Sequence, residues 1–179
     1  MSSGSIALDI GANIGTFTYL LSKLAGPQGT VLAFEPIPHS FRSLQLACTM
    51  YHWRNVRLYN CAISDHIGEA AMELPRNFDG SINYYQCSIS EHASSDNLSR
   101  VRLISVDSLH LARVDFMKID VEGHELEALK GAQETLARCK PVILIEISNP
   151  ETTSFLGRFG YKCSRISSAN YLCLPCSLG

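Results

Sequence analysis

The most constraining stretch of this chain is its opening. Ser5–Ile10 is a short apolar run that reads as a buried strand. It passes through Gly11-Ala12-Asn13-Ile14-Gly15 into Thr16–Ala25, whose apolar residues recur at helical spacing. A strand that turns through glycines straight into a helix commits the chain to a βαβ plan, and the following residues repeat it. Gly26-Pro27 stops the helix, Thr30–Glu35 is a second strand, Ser40–Tyr51 a helix with Phe41, Leu44, Cys48 and Tyr51 on one face, and Val56–Cys61 a third strand. Strands and helices in alternation predict a parallel sheet covered on both faces.

Residues 62–100 break the rhythm with Gly68, Pro75, Gly80 and the serine-rich run 88–99, and read as loops around short strands. A stretch this long without a helix is a surface excursion or a substrate lid. Beyond it, Val101–Leu109 reads as strand and turn, Val114–Val121 as a central strand, and Leu126–Cys139 as a helix. Pro141–Ile147 is the most apolar strand, and Phe155–Phe159, Tyr161–Ile166 and Tyr171–Leu174 give a short helix and a closing hairpin. At 179 residues the expectation is one domain, 1–179, with an excursion at 62–113 that includes Tyr84 and Tyr85.

Fifteen Lys and Arg against 17 Asp and Glu argue against a nucleic-acid-coating surface. No run approaches the ~18 apolar residues of a membrane span, and MSSGS lacks the charged start of a signal peptide. Seven scattered cysteines are an odd set, which predicts buried reduced thiols and a cytoplasmic location. Cys173-Leu-Pro-Cys176 has redox or zinc spacing, but a lone pair cannot fill zinc's four positions.

Chemistry concentrates at strand ends. Gly11 and Gly15 permit a tight turn with the helix N-terminus aimed at the same crevice. A dinucleotide fingerprint needs glycine where Asn13 stands, which counts against NAD. Asp9 repels phosphate but welcomes a cation. Glu35 ends the second strand, where doubly wound folds place the acid that grips a ribose diol.

Together these residues resemble the class I S-adenosylmethionine-dependent methyltransferases, and most closely the FkbM-type family. The matching segments, in family order, are Asp9–Thr18 (DIGANIGTFT), Phe34-Glu35-Pro36 with Phe41, Cys61–Ser64, Val106–Leu109, Asp115–Gly131 (DFMKIDVEGHELEALKG) and Val142–Glu146. The resemblance implies an α/β Rossmann-like three-layer sandwich with a seven-stranded sheet, order 3-2-1-4-5-7-6, last strand antiparallel. It implies that Asp9, Gly11, Asn13 and Gly15, with the helix start Thr16, Phe17 and Thr18, hold the methionine portion of S-adenosylmethionine. Glu35 would hold the ribose, while Pro36, Ile37 and the turn Cys61, Ala62, Ile63 flank the adenine. A pocket of acids without a phosphate-binding lysine suits a sulfonium cation. The acceptor implied is a hydroxyl on a small metabolite, sugar or polyketide.

The fourth strand carries Lys118, Asp120 and Glu122 at alternate positions, then His124, a charged face where a buried parallel strand is normally apolar. In one reading Asp120 lies at the cofactor methyl, Asp120 or Glu122 positions the substrate, and Glu122 or His124 removes a hydroxyl proton. In another, Lys118 pairs with Glu122 or Glu146 and His124 caps the next helix. A third gives Asp120, Glu146 and Asn149 to a divalent cation; the site without a metal is preferred. Two further function readings stand beside the enzyme. Many relatives carry helices ahead of the first strand that cover the cofactor, whereas here that strand opens at Ser5, so the chain could be a cofactor-binding module or be completed by a partner chain. The other is an NAD-dependent oxidoreductase.

Overall fold

The computed structural model describes residues 1–79, 81–83, 87–90 and 98–176. Tyr84 and Tyr85 lie outside the described residues. Strands β1 (Ile6–Ile10), β2 (Thr30–Phe34) and β3 (Val56–Tyr59) alternate with helices α1 (Thr16–Ala25) and α2 (Pro38–Met50). The short β4 (Ala62–Ile63), β5 (Gly68–Glu73), β6 (Ser88–Ser90) and β7 (Leu98–Ile104) follow. Then come β8 (Phe116–Ile119), α3 (Glu125–Lys130), α4 (Gln133–Cys139), β9 (Val142–Glu146), α5 (Glu151–Arg158), β10 (Tyr161–Arg165) and β11 (Asn170–Pro175).

The main sheet has seven strands in the order β10-β11-β9-β8-β1-β2-β3. Counted within that sheet alone, this is 3-2-1-4-5-7-6, and β11 runs antiparallel to both its neighbours. One face buries Leu21 and Ala25 of α1 and Leu44 of α2 against Ala7, Val31 and Ala33. The other packs α3, α4 and α5 through Leu129, Leu136 and Leu156 onto Leu8, Met117, Ile119, Ile143 and Ile145. Each fully buried Leu or Ile there contributes about 1.5–3 kcal/mol relative to exposure.

The irregular stretch is more ordered than its composition suggests. β4, β7, β5 and β6 form a second sheet, with β4 parallel and β5 antiparallel to β7. Its inner residues Met72, Cys87, Val101 and Leu103 close over Ile37 and Ala62, so alternation was masked by short strands rather than missing. The single helix expected over 126–139 is two, broken at Gly131-Ala132. A Cβ on Gly131 would stand 1.9 Å from the Ser64 carbonyl oxygen, so β4 presses directly on the helix break.

The cysteine expectation needs correcting. Cys163 and Cys173 face each other in the β10–β11 register and form a disulfide. Hairpin pairing, invisible in a ten-residue spacing, brings them together. Cys176, the other member of the CxxC, is an exposed free thiol; Cys61 and Cys87 are buried free thiols, and Cys48 and Cys139 half-buried ones. No described helix is long and apolar enough to cross a membrane.

Candidate active site

The C-terminal ends of β1, β2 and β8 open onto a cavity of about 340 Å³. The turn after β1 forms its floor. Gly11 sits at φ +80°, and a Cβ there would lie 1.8 Å from the Asp120 carbonyl oxygen, so glycine alone lets β1 and β8 close side by side. Asn13 adopts the left-handed region at φ 50°, which asparagine tolerates better than most residues. Gly15, at φ +98°, packs beneath against Leu44 and Trp53.

Glu35 is the best-held acid. Its side chain accepts the Asn13 N–H on Oε2 and the Ile37 N–H on Oε1, both at 2.8 Å, while Asn60 clamps the Glu35 and Pro36 carbonyls. Burial pushes its carboxyl above the usual range, and those two N–H donors pull it back down. Each oxygen accepts only one of these bonds and so retains acceptor capacity, and Glu35 lines the cavity.

Asp9 is fully buried and does not line the cavity. Burial raises its pKa; the Lys118 ammonium, 3.7 Å away, and the Thr18 hydroxyl, which donates at 2.6 Å, oppose the rise. Lys118 is the central cation. Its ammonium donates to the Gly11 carbonyl at 2.8 Å and lies 3.3 Å from Asp120. It pairs with Asp9 and Asp120, not with Glu122 or Glu146 as one sequence reading had it. It lines the cavity, where its charge is met by these two carboxylates.

The expected cofactor residues thus divide. Gly11, Asn13, Thr16 and Phe17 line the floor, Glu35, Pro36 and Ile37 one wall, Cys61, Ala62 and Ile63 another, and Asp120 the far edge. Asp9, Gly15 and Thr18 lie beneath as supports. Burial drives the Cys61 and Cys87 thiols up to about 11, so both stay protonated at neutral pH.

Glu122 and His124 also reach the cavity. Glu122 is held at φ 50°, an uncommon conformation for a non-glycine residue, beside Gly123 at φ 95°. Partial burial and the charges of Asp120, Glu146 and Glu125 raise its pKa. Glu146 meets Asp120, and burial together with that neighbour raises it too. His124 makes no side-chain cap to α3. Its Nε2 lies 3.0 Å from the Ser64 hydroxyl and its Nδ1 3.9 Å from Glu127, and burial holds the ring below its usual pKa. Among the described residues no cluster of three His, Cys, Asp or Glu could hold a metal ion. Asn149 instead accepts the Glu151 N–H at the start of α5.

Sequence reasoning marked the 62–113 excursion and the Cys61–Ser64 segment but gave no individual role to Ser64, Met72, Cys87 and Ile89. The last three reach the cavity from the second sheet, whose pairing no local pattern announced.

Residues 9–169 match the family model described as the methyltransferase FkbM domain. The chain belongs to the FkbM methyltransferase family. Among its relatives, Methyltransferase 1 of Beauveria bassiana is 28% identical over 148 residues, 73% of this chain and 59% of the relative. The 2-O-methyltransferase NoeI of Sinorhizobium fredii is 27% identical over 161 residues, 82% and 64% respectively. The chain thus spans about three-fifths of the length of these curated relatives. The crystal structure of methyltransferase FkbM from Methylobacillus flagellatus superimposes with a TM-score of 0.71 at 20% identity, over 97% of this chain and 44% of that one. At that identity the likeness shows the shared FkbM fold.

Proposed function

We propose that this FkbM-family chain binds S-adenosylmethionine in the cavity and transfers its methyl group to a hydroxyl of a small metabolite, sugar or polyketide. The observation that carries the reading is Glu35: a buried carboxylate with both oxygens pre-oriented by backbone N–H groups and lone pairs left over for a vicinal diol. The surroundings fit the rest of the cofactor. Ile37, Ala62, Ile63 and Met72 make an apolar slot for a planar base, and the Gly11–Asn13 turn leaves backbone at the methionine end. NoeI's 2-O-methyl activity supports an oxygen acceptor.

Bound there, S-adenosylmethionine supplies a methyl group already activated on a sulfonium. The chain's own task is alignment and proton removal. Lys118 sets the position of the Gly11 carbonyl and of Asp120, and Asp120 orients the acceptor. Glu122, whose raised pKa makes it a better base than an ordinary carboxylate, takes the hydroxyl proton. His124, with both ring nitrogens facing protein partners, positions this edge through Ser64. Beyond the base slot, Cys87 and Ile89 border the remaining, acceptor side of the cavity.

Calorimetry is expected to show micromolar binding of S-adenosylmethionine and little affinity for NAD; the reverse would overturn the reading. Release of S-adenosylhomocysteine with hydroxylated acceptors tests turnover. Binding without turnover across broad acceptor panels would favour a non-catalytic module or a site completed by a partner.

A further inference from the structure

α1 carries apolar side chains on its outer as well as its inner face, where Leu21 and Ala25 meet the sheet. Its inward face includes Thr18 and Ser22, whereas Tyr19, Leu20 and Leu24 face outward at 46–50% exposure. A helix apolar on every side normally has both faces covered. α2 continues the pattern with Leu46 and Met50, exposed by 61% and 63%, and Tyr51 lies just beyond its end. These residues are six of the fourteen exposed large apolar side chains among the described residues.

The aromatic members are locked together. Tyr19, Tyr51 and Trp53 have ring centroids 5.9–6.3 Å apart, and they line a shallow cleft between the helices with Leu46 and Met50. The charge around them has one sign. Lys23 lies over the Tyr19 ring at 5.4 Å, Arg42 sits one helical turn before Leu46, and Arg54 follows Trp53. Between Ile14 and Asn55 the only carboxylate is Glu35, which is buried in the cavity wall. The whole chain carries a charge of −2, so the cationic character is local to this face.

We propose that the α1–α2 face docks on an anionic lipid bilayer, with Leu20, Leu24, Leu46 and Met50 entering the headgroup–acyl boundary. Tyr19 and Tyr51 then lie at interfacial depth with the buried Trp53 ring behind them, and Lys23, Arg42 and Arg54 meet lipid phosphates. Charge complementarity selects this occupant. A second copy packed face to face would set these cations against their own images, with no exposed acid between residues 14 and 55 to pair them. A single acidic helix laid in the cleft would leave Leu20 and Leu24 uncovered, since neither lines it. A bilayer wets ridge and groove alike. The proposal does not depend on the methyl-transfer reading.

Trp53 is the chain's single tryptophan, so its fluorescence reports on this face alone. Phosphatidylcholine vesicles with about 30% phosphatidylglycerol are expected to co-sediment the protein, and brominated acyl chains in them to quench the emission of Trp53, which lies just beneath Tyr19 and Tyr51. Pure phosphatidylcholine should do neither, and rising salt should release the protein. Lys23→Glu and Arg42→Glu should each weaken binding by roughly fivefold or more. Leu20→Ser with Leu24→Ser should weaken it at every salt concentration, with an unchanged circular dichroism spectrum. Four results would overturn the proposal. These are no binding to anionic vesicles, equal binding to neutral ones, unaltered binding by the folded variants, or a concentration-dependent dimer that Leu20→Ser and Leu24→Ser abolish.

Discussion

Replacing Glu35 by Gln tests the cofactor site with the smallest change of shape. In the wild type, one oxygen accepts the Asn13 N–H and the other the Ile37 N–H, both at 2.8 Å. Gln keeps one acceptor and turns its amide N–H2 against the other backbone N–H. That leaves a buried donor facing a donor, at a cost of about 1–3 kcal/mol to stability. The ribose loses at least one charge-assisted hydrogen bond, worth about 1.5–3 kcal/mol, so S-adenosylmethionine affinity should fall roughly 10- to 150-fold. Titration calorimetry on protein shown to be folded by circular dichroism measures the second effect, and urea denaturation the first. A folded Glu35→Gln variant that binds with wild-type affinity would refute the assignment of Glu35 to the ribose. If stability also stayed unchanged, the hydrogen-bond account of the turn would fail with it.

Further outcomes follow from the same geometry. Gly11→Ala drives a Cβ to 1.8 Å from the Asp120 carbonyl at a φ that disfavours alanine, so thermal melting should show a loss of several kcal/mol. A variant melting within a degree of wild type would mean that β1 and β8 are not so tightly apposed. Lys118→Met leaves the fully buried Asp9 and its neighbour Asp120 uncompensated, and denaturant titration should register a loss of about 3–5 kcal/mol. Glu122 has a folded pKa raised above its unfolded value, so it contributes stability below the ordinary carboxylate range that is lost as pH rises through the folded pKa. Melting curves across acidic to neutral pH should therefore show wild type falling relative to Glu122→Gln as pH rises, and parallel curves would count against it. If Glu122 is the base, methyl transfer to a hydroxyl should increase with pH through an inflection above the usual carboxylate value, and Glu122→Gln should remove that inflection.

The elements most legible in the sequence were those with a strong period and clear punctuation. Thr16–Ala25 is helical over its whole predicted span because Gly15 and Gly26 bound an uninterrupted apolar pattern. The order of the main sheet came from the family resemblance, and strand alternation with right-handed crossovers supports it. Boundaries slipped where a distant contact intervened. The helix expected over 126–139 breaks because Gly131 must admit the Ser64 carbonyl, sixty-seven residues earlier in the chain. The second sheet escaped notice because β4 and β6 are two and three residues long, too short for alternation to show.

The same division runs through the site. Local sequence marked Asp9, Gly11, Gly15, Glu35, Asp120 and Glu122 as chemistry-bearing, from acids at strand ends and glycines in a strand-to-helix turn, while the family resemblance added Asn13. Tertiary structure alone decided their relations. It placed Lys118 between Asp9 and Asp120, moved Asp9 below the cavity floor, tied His124 to Ser64, and joined Cys163 to Cys173 across a hairpin. The reason is range. Turn geometry and helical periodicity act over a few residues and are written in adjacent letters. Ion pairing, thiol pairing and desolvation depend on which strands become neighbours, and only the closed sheet settles that.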